Sequence, residues 1–258
     1  MIPKKLHLCW LSGDAYPAKI ARCIESWKRV MPDYEIVLWD TKRFDLSLSP
    51  WVREAFEKKK YAFAADYIRF YALYHEGGIY LDSDVEVLKR FDDLLDLPYF
   101  MGAEKAGTPE AAIMGAEKGC DWIKQCLDYY DGRHFVKADG TLDIRKLPEI
   151  MDEQIRQMKP LRVLSLDESL NIRKQDFQKE VLVMNDAFFS PKVFDSREVE
   201  LTPYTYAIHH YQNSWFSPKA KAYYRTRTLL IRIFGYRFIS KAEQIIMPWR
   251  FKKQNKLN

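Results

Sequence analysis

Residues 77–87 read GGIYLDSDVEV: two glycines, a short apolar run, then two aspartates one residue apart. In a strand successive side chains alternate, so Asp82 and Asp84 point the same way. Two such charges repel unless water screens them or a cation lies between them. A plain structural pattern also fits the stretch. Tyr80, Asp82, Asp84 and Glu86 then form the wet face of a half-buried strand, while Ile79, Leu81, Val85 and Val87 face the core. An aspartate pair of this kind carries little information alone. Its surroundings decide the reading.

A helical pattern from about Tyr61 to His75 precedes the stretch and stops at Gly77-Gly78. Upstream, KLHLCW (5–10) reads as a strand ending at Trp10. Ala18 to Val30 has helical spacing, with Ile20, Cys23, Ile24 and Trp27 on one face. Met31-Pro32-Asp33 stops that helix, YEIVLWD (34–40) is a second strand, and Ser49-Pro50 opens another helix. Downstream, strands are expected at 99–105, 111–116, 181–185 and 206–211, with a helix over 120–130. Residues 132–160 are polar with a helical pattern. This alternation argues an α/β sheet with helices on both faces. In such folds ligands bind outside the carboxyl ends of the strands. Trp10 and the pair Asp82/Asp84 fall at such ends, and His209 lies close to one.

At 258 residues, 47% hydrophobic and 30% charged, the chain has a globular composition, enough for one large domain or two small ones. It contains no run of about 18 apolar residues, so no spanning helix is expected. The start, MIPKKLHLCWLSG, reads as a first strand rather than a signal peptide. Cys9, Cys23, Cys120 and Cys126 fall in no metal-ligand spacing and read as thiols in a reducing cytosol. Charge is split unevenly. Residues 219–258 hold 11 Lys or Arg and a single acid, Glu243, whereas residues 1–218 are mildly acidic. We therefore divide the chain into a main body, 1–218, and a basic amphipathic helical segment, 219–258. The segment mixes its basic residues with Leu, Ile, Phe, Tyr and Trp. That composition suits either an interfacial helix on an anionic membrane or a helix pair with a solvated basic face.

Two carboxylates at the mouth of a sheet make a hard-oxygen site for Mg²⁺ or Mn²⁺, whose open positions a diphosphate can fill. An EF-hand is excluded by the absence of its Gly and its twelfth-position Glu. An aspartyl-phosphate enzyme is disfavoured because Glu86 stands where a Thr is needed. Asp66 and Arg69 share a helix face; as an exposed pair they are worth about 0.2–0.5 kcal/mol. His209-His210, followed by Asn213, Ser214 and Trp215, is the other polar cluster, and adjacent histidines in a strand face opposite ways. Trp10 is either core or a surface for stacking a base.

The stretches IPKKLHLCWLSG, WKRVMPDYEIVLWD, AFAADYIRFYALYHEGGIYLDSDVEVLKRFDDLL, FFSPK and AIHHYQNSW together resemble glycosyltransferase family 32. This group includes bacterial capsular and surface polysaccharide sugar transferases, related to the yeast initiating mannosyltransferases and to clostridial toxin glucosyltransferase domains. The resemblance covers about residues 1–105 and 181–216. It implies a GT-A fold, Rossmann-like with a mixed central sheet, a nucleotide-sugar donor (a UDP-sugar favoured over GDP), a divalent cation (Mn²⁺ or Mg²⁺), a saccharide acceptor and retention of anomeric configuration. It implies that Asp84 ligates the cation and Asp82 reaches ribose and the cation's water shell. Asp66 and Arg69 then hold ribose and donor sugar, beside Tyr80, and Trp10 stacks the base. His209, with Asn213, Ser214 and Trp215, closes over metal and phosphates; the ligand there is His209, His210 or Asn213, since the usual Gly before Ser-Trp is absent. A cytoplasmic enzyme, peripheral on the inner face of the membrane and acting on a lipid-linked acceptor, would follow. No nucleic acid is expected as partner.

Two other classes compete with this reading. A sugar-phosphate nucleotidyltransferase would share sheet and carboxylates but needs a Gly-rich loop where the chain has only Ser12-Gly13. A non-catalytic basic membrane-binding protein would leave the aspartates dispensable.

Overall fold

The first two strands, β1 (Lys5–Cys9) and β2 (Glu35–Trp39), run parallel, in register from Lys5 opposite Glu35 to Cys9 opposite Trp39. Between them α1 (Ala18–Val30) buries Ile20, Cys23, Ile24 and Trp27, the one-sided spacing of a helix that packs on a core. The computed structural model describes residues 1–104, 107–191, 199–211, 218–235, 238–239 and 241–243. In α2 (Pro50–Glu57) the Ser49 hydroxyl accepts from Val52 N at 3.4 Å and Pro50 takes the first turn, where a missing N–H costs nothing. The following helix, α3 (Tyr61–Glu76), is apolar almost all round and correspondingly buried, from Phe63 to Leu73.

The double glycine does more than stop α3. Gly77 has φ 65° and Gly78 φ 109°, and a Cβ on Gly78 would lie 2.9 Å from Lys5 O. Only glycine enters that conformation and that space without strain. The chain can therefore turn directly from α3 into β3 (Gly78–Leu81), which lies parallel to β1 with Leu6 opposite Ile79.

Two patterns are open for 77–87: a strand ending in the two aspartates, or one half-buried strand with a wet face running on through Val87. The structure follows the first. β3 ends at Leu81, Asp82–Asp84 form a turn, and β4 (Val85–Val87) belongs to another sheet. Tyr80 is 1% exposed, so the wet-face pattern fails at its first member. Strand alternation therefore does not explain why the two aspartates converge; the turn does. The break is held from α1, where Trp27 Nε1 donates to Val85 O (2.7 Å) and Val87 N donates to Ser26 Oγ (2.9 Å), both buried.

β5 (Tyr99–Ala103) and β6 (Pro109–Ala116) complete the main sheet, ordered β2-β1-β3-β6-β5, with β6 antiparallel to both β3 and β5. The sheet is therefore mixed α/β. Next come α4 (Asp121–Asp128), α5 (Leu147–Met158), β7 (Leu161–Val163), α6 (Leu166–Leu170) and β8 (Val181–Val183), the two strands pairing in parallel. β9 (Ala207–His209) pairs antiparallel with β4. All four cysteines are free thiols.

Met1–Pro191 and Glu200–Gln212 form one compact unit; Lys192–Val199 and Asn213–Asn258 form a second. The second contains α7 (Pro218–Phe234), on which Arg227 and the Tyr223 hydroxyl both bind Glu243, the single acid of the basic segment. Among the described residues no helix is long and apolar enough to cross a membrane.

Candidate active site

The carboxyl ends of β1 and β3 open on the same side of the sheet because the two strands are parallel neighbours. Asp82 N donates to Ala112 O at 2.8 Å, which anchors the turn to β6 and fixes where the carboxylates begin. β9 then approaches from the other sheet: His209 lies opposite Val85, and His210 N donates to Asp84 O at 3.1 Å. One ligand atom from each of Asp82, Asp84 and His209 can be chosen so that all lie within 4.8 Å of one another. His209 Nε2 is 3.4 Å from Asp84 Oδ1. Two hard carboxylate oxygens and one imidazole nitrogen form a donor set that fits Mn²⁺ well and Mg²⁺ acceptably. His210 turns the other way, with Nε2 2.8 Å from Glu86 Oε2.

Asp66 and Arg69 are not the exposed pair that their spacing allows. Both are buried, at 8% and 5% exposure. The Arg69 guanidinium donates to Ala111 O (2.6 Å) and Asp66 Oδ1 (2.9 Å), approaches Asp82 Oδ1 (3.4 Å) and lies over the Tyr80 ring. Its Nε, also buried, has no partner among the described residues. Tyr80 donates its hydroxyl to Asp82 Oδ1 at 3.0 Å. One guanidinium thus orients two carboxylates, and the second of them is in the Asp82–Asp84–His209 cluster. Burial pushes the Asp66 carboxyl up to about 7, with the Asp82 charge adding to it and Arg69 opposing. Burial also raises Asp82, against the attraction of Arg69 and His209. Burial would lower His209, yet Glu110 and Asp84 together hold its imidazolium well above the usual histidine range.

Trp10, one residue beyond β1, is part-exposed, donates Nε1–H to Asp14 O (2.8 Å) and meets Tyr16 edge-on at 4.9 Å. Asn213, Ser214 and Trp215 lie outside the described residues. The sequence reading missed Glu110, a carboxylate 2% exposed beside His209. Its signal was available: one acid inside the otherwise apolar run PEAAIMGA of β6.

Residues 17–101 match the family model "Glycosyltransferase sugar-binding region containing DXD motif". Among curated proteins the chain is 32% identical over 130 residues to inositol phosphoceramide mannosyltransferase 3 of Schizosaccharomyces pombe, covering 49% of this chain and 36% of that protein. It is also 32% identical over 150 residues to an uncharacterized glycosyltransferase of Acanthamoeba polyphaga mimivirus, covering 56% and 60%. The chain thus spans about a third of the length of the yeast relative and under two thirds of the viral one. Among solved structures it is similar to the PaToxG glycosyltransferase (TM-score 0.44, 18% identity, 60% of this chain and 69% of that one). It is similar also to the apo form of the glycosyltransferase GlyE from Streptococcus pneumoniae (TM-score 0.44, 13% identity, 93% and 64%). The aspartates that the turn brings to the mouth of the sheet are the DXD pair of that matched region, and by it this chain is related to the DXD-containing glycosyltransferases.

Proposed function

We propose that the protein is a metal-dependent, retaining glycosyltransferase that moves a sugar from a nucleotide-sugar, a UDP-sugar for preference, to a saccharide acceptor of a capsular or surface polysaccharide. The observation that carries this reading is the convergence of Asp82, Asp84 and His209 at the carboxyl ends of β1 and β3, the aspartates lying inside the region that matches the glycosyltransferase model. Asp84 and His209 would hold a Mn²⁺ or Mg²⁺ ion, with Asp82 serving its water shell and the ribose. When bound, the cation neutralises the diphosphate that leaves as the sugar–phosphate bond breaks.

The chain's own residues supply position and charge. Arg69, fixed by Ala111 O and Asp66, is a buried cation beside Asp82, and a preorganised charge of this kind favours an anionic leaving group. Asp66 and Arg69 hold ribose and donor sugar, and Tyr80 keeps the Asp82 carboxylate turned toward them. Trp10 presents an aromatic surface to the base. Retention without an enzyme nucleophile requires front-face transfer, in which the acceptor hydroxyl attacks from the side of the leaving phosphate and a phosphate oxygen takes its proton.

We assign residues 1–218 to catalysis and 219–258 to contact with the cytoplasmic membrane surface, as suits a lipid-linked acceptor. The exposed Leu229, Ile233, Phe234 and Phe238, in a segment with 11 basic residues and one acid, support that division. Cosedimentation with vesicles that depends on anionic lipid tests it, and equal binding to neutral vesicles counts against it.

Slow donor hydrolysis across a panel of nucleotide-sugars with Mn²⁺ tests the activity. One donor should be hydrolysed only with the cation, and Asp84→Asn should lower the rate by at least about 100-fold with little change in melting temperature. Turnover that is indifferent to metal and to Asp84 would refute the assignment.

A further inference from the structure

Glu110 has no role in the proposed transfer, and its surroundings are costly. A carboxylate enclosed in a protein core loses several kcal/mol of hydration unless its oxygens are fully paired. Here they are. Ala112 N donates to Oε1 at 2.9 Å, while the Ser190 hydroxyl (2.8 Å) and the Tyr211 hydroxyl (3.2 Å) donate to Oε2. The remaining neighbour is His209, whose Nδ1 lies 3.4 Å from Oε1 and 3.5 Å from Oε2. The Tyr211 ring covers the imidazole at 4.0 Å between centroids, so the histidine is clamped as well as bonded. On the far side of the ring, Nε2 faces Asp84 at 3.4 Å.

The imidazole therefore bridges β6, through Glu110, and the turn between β3 and β4, through Asp84. A carboxylate can only accept, so at Nδ1 it selects a proton on that nitrogen. A cation that binds His209 displaces one proton from the imidazolium; with the proton on Nδ1 held by Glu110, it is Nε2 that gives up its proton and presents a lone pair. That is the nitrogen beside Asp84.

We infer that Glu110 is a positioning residue for the cation site: by accepting from Nδ1–H it fixes the ring orientation and tautomer of His209, so that Nε2 is offered as a ligand next to Asp84. The inference rests on the proposed metal site and adds to it a residue that never touches the metal. Ser190 and Tyr211 act one step further out, holding the carboxylate that holds the ring.

The test is Mn²⁺ affinity, read by electron paramagnetic resonance of free Mn²⁺ with UDP present, for the full chain and for Glu110→Gln. Glutamine keeps the side-chain shape and can still accept from Ala112 N. The substitution should weaken Mn²⁺ binding about 10–100-fold while the far-ultraviolet circular dichroism stays unchanged. A variant that folds and binds Mn²⁺ as tightly as the wild type overturns the inference and leaves the transferase reading standing. A wild type that binds no Mn²⁺ overturns both. Should Glu110→Gln not fold, imidazole ¹⁵N spectra of the wild type loaded with diamagnetic Zn²⁺ decide: a proton on Nδ1 with Zn²⁺ on Nε2 supports the inference, and the reverse arrangement overturns it.

Discussion

Two arginine–aspartate clusters in this molecule use the same chemical groups to opposite effect. On the surface, Arg90 pairs with Asp92 and, at 2.7 Å, with Asp33, while Lys4 reaches both acids at 2.7 and 2.8 Å. Hydrogen bonds from Lys4 and Arg90 bring Asp33 down to about 2, and those from Arg90 and Lys4 do the same for Asp92. In the interior, Arg69 is also within hydrogen-bond distance of Asp66, at 2.9 Å, yet Asp66 rises to about 7. Attraction to a cation is present in both places. What differs is water: at the surface each ion keeps its hydration, whereas inside, burial charges the carboxylate more than one guanidinium returns. The buried cluster is also the one that abuts Asp82.

The sharpest way to break this comparison is to remove each arginine in turn. Arg69→Ala leaves Asp66 and the Ala111 carbonyl unpaired in the interior and should cost about 3–5 kcal/mol in urea unfolding. Arg90→Ala, at the surface, should move the midpoint little. Equal losses would mean that burial does not distinguish the two clusters.

Asp66→Asn sharpens the comparison through pH. The folded carboxyl of Asp66 titrates above its unfolded value of about 3.9, so the folded state holds the extra proton between about pH 4 and 7. Its penalty is absent below that window, grows as pH rises through it and is complete above about 7. The wild type should therefore lose stability across this window relative to Asp66→Asn, as seen in paired melting curves. Parallel profiles would show that Asp66 is not held in its neutral form.

The surface acids bear the opposite sign and give the smallest effect. The folded values of Asp33 and Asp92 lie below the unfolded one, so their contribution is complete above about pH 4 and disappears as pH falls through about 2. Asp33→Asn should leave the melting temperature at pH 7 almost unchanged, and less altered still in 1 M salt. The acid limb should flatten by the same small amount. A loss at neutral pH comparable to that of Arg69→Ala would undo the distinction.

The sequence by itself determined the periodic elements. The one-sided spacing in α1, the Ser49-Pro50 start of α2, the double glycine after α3 and the apolar runs of β1, β2, β5, β6 and β8 are local patterns, because helix and strand periods act over a few neighbouring residues. The Asp82/Asp84 motif was legible for the same reason, and so was the similarity to the DXD-containing glycosyltransferases. Only the tertiary structure decided that 77–87 divides between two sheets, since that depends on Trp27 and Ser26 holding β4 from a helix some 60 residues away. It decided that His209 rather than His210 faces the aspartates, through the register of β9 on β4. It also made Asp66–Arg69 a buried pair and set Glu110 behind the histidine. Spacing states which residues can share a face; whether that face meets water or another strand is settled by contacts distant in sequence, and with it the charge each group carries.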